Sequence, residues 1–162
     1  IYAAKYPGFN EINDKECVIL DNADIQKLPS SWHKYNGYIK KCSLKQNKSS
    51  RITVWLVSVW ANDYLDDKKC NMWEDFPHAI FIDDQFNQIG TFPEGYPMGS
   101  SPTEPFVYYG KWKKGIPTEI RIDVYNQAVS GDYYYAPLIW NEKIKKYEMK
   151  DVEEKSGKRP KK

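Results

Sequence analysis

The sequence of 162 residues contains no long hydrophobic segment. No apolar run approaches the roughly 20 residues that a membrane-spanning helix needs, which excludes a helical membrane protein. The first residues, IYAAKYPGF, also lack the cationic and apolar regions of a signal peptide. We therefore expect either a mature chain, from which a signal peptide or lipid-bearing end has been removed, or a trimmed chain.

Residues for catalysis and for metal binding are scarce. The only histidines are His33 and His78, and none of the three cysteines has CxxC spacing, so no zinc site is expected. The patterns GxSxG, HExxH, GxGxxG and the phosphate-binding loop are absent. A Cys70–His78 pair could support nucleophilic catalysis, but without a surrounding motif we expect a structural cysteine and a loop histidine. We therefore predict a non-catalytic protein with no cofactor and no metal.

The charges of the chain almost cancel. The sequence has 24 Lys and Arg against 22 Asp and Glu, a net charge of +2. Proteins that bind nucleic acid generally need a basic surface to neutralise phosphates, so we expect no nucleic-acid partner. Aromatic residues make up 15% of the chain, which argues against extensive disorder.

Short strand patterns separated by turns account for most of the chain. Residues 51–60, RITVWLVSVW, are apolar on both faces, which predicts a central strand that is covered on both sides. Residues 118–125 alternate strictly and predict a strand with one face in water. Its expected buried residues are Ile120, Ile122 and Val124, and its expected wet residues are Glu119, Arg121 and Asp123.

About eight such strands with little helix predict a mainly β fold. We expect an antiparallel β-sandwich or a small barrel, with residues 1–150 forming one domain. Residues 61–78 are predicted to form a long polar loop, and residues 79–92 a hairpin. Residues 151–162 form a charged tail without apolar spacing, which we predict to be mobile.

The three cysteines permit two interpretations. In a reducing compartment all three would remain thiols, whereas in an oxidising compartment one disulfide and one free thiol are expected. For the second case we predict a Cys42–Cys70 bridge, because Cys42 ends a strand pattern and Cys70 lies in a polar loop. Cys17 begins the apolar run CVIL and is predicted to be buried.

Aromatic and acidic residues alternate in the predicted loop 61–78, where they form a candidate partner-binding surface. Large rings beside carboxylates suit a surface that docks into a cationic cleft. The alternative is that the loop folds over the domain and its rings join the core. Further candidate residues come from the segments 93–109 and 133–135. The candidate residues are Asp63, Tyr64, Asp66, Asp67, Trp73, Glu74, Asp75, Tyr96 and Tyr134.

The order of these segments resembles small periplasmic immunity lipoproteins of bacterial type VI secretion systems. The resemblance rests on residues 15–60, where ECVIL precedes YIKKCSLKQNKSSRITVWLVSVW, and on the later aromatic segment YYYAPLIW. It implies a β-sandwich that binds a cognate toxin and carries no catalytic residues. The lipid-bearing cysteine of such proteins is absent, so the resemblance also implies a trimmed N-terminus and membrane attachment only through a removed lipid anchor.

Two functions follow as hypotheses. The first is a periplasmic, non-catalytic immunity protein that occludes the active site of a secreted toxin. The alternative is a carbohydrate-binding β-sandwich module of a secreted or periplasmic protein, which would use exposed tyrosine and tryptophan rings as stacking platforms. A hydrolase ranks third.

Overall fold

The computed structural model describes residues 6–69, 75–99, 103–126 and 131–150. Strands make up 45% of the chain and helices 15%, which confirms the prediction of a mainly β fold. Two antiparallel sheets form a sandwich and do not close into a barrel. The predicted tail, residues 151–162, lies outside the described residues. Within the described part of the chain, no helix is long and apolar enough to cross a membrane.

The described strands are β1 (Asn10–Glu11), β2 (Cys17–Ile19), β3 (Ile39–Leu44), β4 (Val54–Val59), β5 (Ile80–Asp83), β6 (Gln88–Thr91), β7 (Thr103–Lys113), β8 (Ile116–Asn126), β9 (Gly131–Tyr134), β10 (Leu138–Asn141) and β11 (Lys146–Met149). The helices between them are α1 (Asn22–Ile25), α2 (Ala61–Asp67) and the short 3-10 helices Asp14–Glu16 and Ser30–Tyr35. The first sheet has the order β2-β3-β4-β5-β6 and the second has the order β1-β7-β8-β10-β11, with β9 also paired to β8.

The described residues form eleven strands rather than about eight. One reason is that residues 131–141 contain two strands, β9 and β10, instead of one continuous strand. Pro137 lies between them, and proline has no N–H to donate to a neighbouring strand. A second reason is β1, whose two residues are too few to produce a strand pattern.

The central position of β4 is confirmed. It pairs with β3 on one side and β5 on the other, and both of its faces are covered. Val54 and Leu56 face the second sheet, whereas Val57 and Val59 face a separate cluster on the outer side. That outer cluster includes Trp32 and Tyr35 of the second 3-10 helix. The first sheet therefore has an apolar cluster on each face.

The core between the sheets contains the predicted buried residues of β8. Ile120, Ile122 and Val124 are each at most 3% exposed and pack in one cluster with Leu56 and Phe81 of the first sheet. β7 and β8 form a hairpin whose two turn residues both have positive φ, as a tight type I′ turn requires. Gly115 occupies the second of these turn positions.

The prediction that the other face of β8 is wet is wrong. Glu119 and Asp123 are only 5% and 3% exposed. Tyr6 packs over this face, and its hydroxyl donates to both carboxylate oxygens of Asp123 at 3.0 and 3.2 Å. Glu119 forms ion pairs with Arg121 and Lys111. The alternating sequence pattern of β8 indicates which residues share a face of the strand. It cannot indicate that the segment containing Tyr6 covers the face with Glu119 and Asp123.

The predicted Cys42–Cys70 disulfide is also wrong, because Cys42 is bonded to Cys17 with a sulfur–sulfur distance of 2.08 Å. The two cysteines face each other across β2 and β3, and their Cα atoms are 4.1 Å apart. Such a short separation is typical of a non-hydrogen-bonded antiparallel pair. Cys17 is half-buried rather than buried, and Cys70 lies outside the described residues.

Candidate functional site

Part of the predicted loop 61–78 is a helix. β4 ends at Val59, and Trp60 leads in an extended conformation into α2. The main-chain N–H groups of Ala61 and Asn62 donate to the carbonyl oxygens of Met98 and Gly99, each at 3.2 Å. These bonds satisfy donors that a helix start leaves free and attach α2 to the segment before β7. Three of the candidate acidic residues, Asp63, Asp66 and Asp67, therefore lie on a helix whose start is hydrogen-bonded to a neighbouring segment.

The exposed side of α2 is acidic. Asp63, Asp66 and Asp67 are spaced three and four residues apart, so they lie on one face of the helix, and all three are exposed. The Tyr38 hydroxyl donates a 2.9 Å hydrogen bond to Asp67, which raises the pKa of that tyrosine. Lys40 Nζ lies 3.8 Å from Asp63. We call Asp63, Asp66 and Asp67 the α2 acidic face.

Tyr64 points away from this face. It is 7% exposed and lies in a ring cluster with Tyr35, Tyr38 and Phe76, with ring centroids 5.0 to 5.9 Å apart. The prediction of Tyr64 as an exposed anchor is therefore wrong, and the alternative that rings of this segment join the core holds for Tyr64 and Phe76. Asp75 is exposed. The other two candidates, Trp73 and Glu74, lie outside the described residues.

Tyr96 and Tyr134 do not form one surface. Tyr96 packs edge-to-face against Tyr133, with ring centroids 6.0 Å apart, and Tyr133 in turn contacts Tyr135. Burial, followed by the neighbouring Tyr96, raises the pKa of both Tyr133 and Tyr135. Tyr134 lies opposite Asp123 in the strand register, on the other face of β9 from Tyr133. The three consecutive tyrosines are therefore divided, with Tyr133 and Tyr135 packed against the core between the sheets and Tyr134 on the other face.

An acidic cavity of about 340 Å³ adjoins the start of α2. Trp60 forms part of its wall and is itself packed tightly, since Lys40 Nζ lies 4.1 Å from the ring centroid. A Cβ atom on Gly99 would lie 2.6 Å from the Trp60 ring, so only glycine fits there. The lining residues are Glu11, Ile12, Asn13, Asp14, Trp60, Met98, Glu104, Pro105, Phe106 and Val107.

The charged side chains that line this acidic cavity are all carboxylates. Its carboxylates are Glu11, Asp14 and Glu104, and no lysine, arginine or histidine is among the described residues that line it. Partial burial raises the pKa of Glu11 and of Glu104, and the nearby Asp14 carboxylate raises the pKa of Glu104 further. A cation placed in the cavity would relieve this repulsion.

Sequence reasoning missed the acidic cavity because its residues come from distant parts of the chain. β1 pairs with β7, which brings Glu11 opposite Tyr108. The 3-10 helix after β1 supplies Asp14, and Trp60 arrives from the end of β4. No local pattern connects these positions, so only the strand pairing could have identified the cavity.

The histidines bond to the main chain. His33 Nε2 lies 3.0 Å from the Leu28 carbonyl oxygen, and His78 Nδ1 lies 3.2 Å from that of Phe92. Across the described ranges, no three His, Cys, Asp or Glu side chains are grouped so that they could hold a metal ion. Cys70, which was considered as a catalytic partner of His78 but expected to be structural, lies outside those ranges.

No family model matches this chain, and neither the curated proteins nor the solved structures contain a match to it. The α2 acidic face and the acidic cavity are therefore the features from which a function can be proposed.

Proposed function

We propose that this protein is a non-catalytic immunity protein that binds a secreted bacterial toxin and occludes its active site. The observation that carries the proposal is the α2 acidic face, where three exposed carboxylates stand on a helix that is hydrogen-bonded to residues 98 and 99. A group of exposed carboxylates on a helix suits the capture of a basic partner, because it speeds encounter and fixes orientation.

The Cys17–Cys42 disulfide supports an oxidising compartment for this function, since such bonds are rare in the cytosol. A periplasmic location agrees with a protein that meets a toxin after its delivery into the cell envelope. Membrane attachment through a lipid on a longer form of the chain belongs to the same proposal.

The carbohydrate-binding alternative has less support. A sugar platform needs exposed aromatic rings, ideally several along one sheet face. Within the described residues, the exposed large hydrophobic side chains are Val18, Ile19, Ile144 and Met149, at 46–58% exposure, and none of them is aromatic. The described rings are buried or half-buried instead.

The test is capture of the partner from the native host, followed by inhibition. The chain is used as bait, and any captured secreted enzyme is assayed with stoichiometric amounts of the purified chain. We expect inhibition that saturates at a fixed ratio. The triple variant Asp63→Asn, Asp66→Asn, Asp67→Asn should associate at least about tenfold more slowly at low salt, with the difference shrinking as salt is raised.

A matched control neutralises three exposed carboxylates elsewhere. Asp84→Asn, Glu142→Gln and Glu148→Gln change the net charge equally, but they lie in the β5–β6 turn and the β10–β11 hairpin. This control should associate almost as fast as the parent. Equal slowing by both triple variants would show that only net charge matters and would remove the α2 acidic face from the proposal. A captured enzyme that is not inhibited would overturn the function itself.

A further inference from the structure

The turn between β5 and β6 holds a bulky side chain in a backbone conformation that favours glycine. Phe86 has a φ of 66°, in the left-handed region that aromatic residues rarely adopt. The Asp83 carboxylate fixes the turn, because it accepts hydrogen bonds from the main-chain N–H groups of Gln85 and Asn87, each at 2.9 Å. Strained positions of this kind persist where the surrounding structure imposes them, and they concentrate at functional sites. Phe86 is therefore a candidate functional residue.

The Phe86 ring lies beside two lysines on the outer side of the first sheet. Lys27 Nζ is 4.8 Å from the ring centroid, and Lys41 Nζ is 5.6 Å from it. Lys41 Nζ also lies 4.4 Å from the ring centroid of Trp55, so two rings hold its cation. Val18 lies opposite Lys41 in the register of β2 and β3 and is 50% exposed. We call Val18, Lys27, Lys41, Trp55 and Phe86 the Phe86 patch.

The Phe86 patch offers a cation without an anion. Among the described residues, no carboxylate forms an ion pair with Lys41, whereas Lys27 pairs with Asp24 at 3.3 Å. The two rings hold the Lys41 ammonium in place, so little side-chain freedom is lost when an anion binds to it. Trp55 and Phe86 are half-buried and still present apolar surface to a partner. The Phe86 patch therefore suits a carboxylate that is flanked by apolar residues.

The Phe86 patch and the α2 acidic face lie on the same side of the first sheet. Trp55 and Phe86 pack against the outer cluster, and α2 packs into it through Tyr64. Trp55 lies near the start of β4, whereas α2 begins at Ala61, just after β4 ends. The two features are therefore separated by roughly the length of the strand, about 15–20 Å at about 3.4 Å per residue. An interface of ordinary size, about 800 Å² per partner, can cover both of them.

We propose that the Phe86 patch is the second half of the toxin-binding surface and receives an acidic segment of the toxin. A carboxylate of that segment pairs with Lys41, and its apolar neighbour packs on Trp55 and Phe86. This inference rests on the proposed function and names the chemistry of the partner, which has a basic region opposite the α2 acidic face and an acidic region opposite the Phe86 patch. Two contacts of opposite sign favour one orientation of the partner, since like charges would meet in the reversed one.

The test uses the full chain and three acetylated and amidated peptides, with binding followed by NMR. Glu-Leu-Glu-Leu is the acidic probe, Gln-Leu-Gln-Leu is its uncharged analogue, and Lys-Leu-Lys-Leu is the basic probe. We expect the acidic probe to shift the main-chain signals of Lys41, Trp55 and Phe86 saturably. It should bind at least about fivefold more tightly than the uncharged analogue. The basic probe should instead shift the signals of α2.

A double variant removes the ring and the cation while keeping the turn. Phe86→Gly places glycine at a positive φ, which glycine adopts without strain, and Lys41→Gln removes the charge. This variant should bind the acidic probe at least about tenfold more weakly. Lys114→Gly in the β7–β8 turn is the matched control, because Lys114 also has a positive φ, of 53°, and its loss changes the net charge equally. The control should bind the acidic probe within about twofold of the parent, since Lys114 lies outside the Phe86 patch.

The single variant Lys41→Gln keeps the test valid if the double variant alters the turn, as the NMR signals of the β5–β6 hairpin will report. Lys41→Gln alone should weaken acidic-probe binding at least about threefold. Equal binding of the acidic probe and its uncharged analogue would overturn the assignment of the Phe86 patch. Equal binding of the acidic probe by the parent and by Lys41→Gln would also overturn it. So would a dimer of the parent that Lys41→Gln abolishes, because a second copy of the chain would then occupy the patch.

The captured toxin separates this inference from the proposed function. The double variant should dissociate from the toxin at least about tenfold faster than the parent. If a toxin is inhibited but the parent and the double variant dissociate from it equally fast, the function stands and the assignment of the Phe86 patch fails. If the acidic probe binds as expected but every captured protein escapes inhibition, the chemistry of the Phe86 patch stands and the immunity function fails.

Discussion

Tyr147 on β11 combines a buried ring with a polar contact. It is 6% exposed, and its hydroxyl donates a 2.7 Å hydrogen bond to the Pro117 carbonyl oxygen. Burial raises the pKa of Tyr147 well above its ordinary value of 10, and burial likewise raises the pKa of Tyr109 to about 12. Both side chains belong to the core between the sheets, so ionisation of either would place a charge there.

We predict that alkali destabilises the fold through these tyrosines. Because their pKa values are higher in the folded state, their contribution is fully present below about pH 10 and is lost as pH rises above it. The free energy of unfolding, measured by urea denaturation, should fall by about 1.4 kcal/mol per pH unit for each such tyrosine. Tyr147→Phe should cost about 1 kcal/mol at neutral pH and make the alkaline decline shallower. An unchanged alkaline slope in the variant would contradict this account.

At the scale of elements, the disulfide joins the edge strand β2 to β3. The two cysteines are 25 residues apart in the sequence, and the chain between them contains α1 and the 3-10 helix Ser30–Tyr35. Restricting a loop of that length in the unfolded chain stabilises a fold by about 3.5 kcal/mol in the chain-entropy estimate.

We therefore predict that Cys17→Ser lowers the free energy of unfolding by about 2–4 kcal/mol. Thiol titration of the denatured, unreduced parent should find one thiol, and peptide mapping should recover Cys17 linked to Cys42. Cys70→Ser is the control: it should leave this link intact and reduce the titrated thiols to none. A peptide containing Cys42 linked to Cys70 would show that the assigned pairing is incorrect.

The elements differ in how far the sequence could predict them. Residues 51–60 and 79–92 were predicted well, because their patterns are local and unbroken. α2 was missed since its seven residues give less than two full turns of periodicity. The Cys17–Cys42 pairing depends on strand register, and the burial of Asp123 depends on Tyr6, 117 residues away. The acidic cavity needs the same kind of long-range information, whereas the three carboxylates of the α2 acidic face were named from the sequence, although they were expected on a loop rather than on a helix.

At the scale of the whole molecule, β4 connects the two apolar clusters. Leu56 is fully buried in the core between the sheets, and the adjacent Val57 is fully buried in the outer cluster. Because one strand contributes to both clusters, we expect that disrupting the packing of either cluster also destabilises the other.

We predict that Leu56→Ala lowers the free energy of unfolding by about 2–5 kcal/mol, the range for a packed core leucine. Urea transitions followed by fluorescence and by circular dichroism should still coincide, since both clusters should unfold together. Val18→Ala is the control, because Val18 is 50% exposed and its truncation should cost under about 0.5 kcal/mol. A similarly small loss for Leu56→Ala would contradict the two-sided packing of β4.

The pairing of β1 with β7 has a consequence for the order in which the chain can assemble. All described strands of the first sheet lie between Cys17 and Thr91, so that sheet can pair while the remainder of the chain is still being synthesised. β1 precedes them all, yet its partner begins only at Thr103. β1, the first of the described strands, must therefore wait for β7, and the acidic cavity that β1 borders is completed only at that late stage.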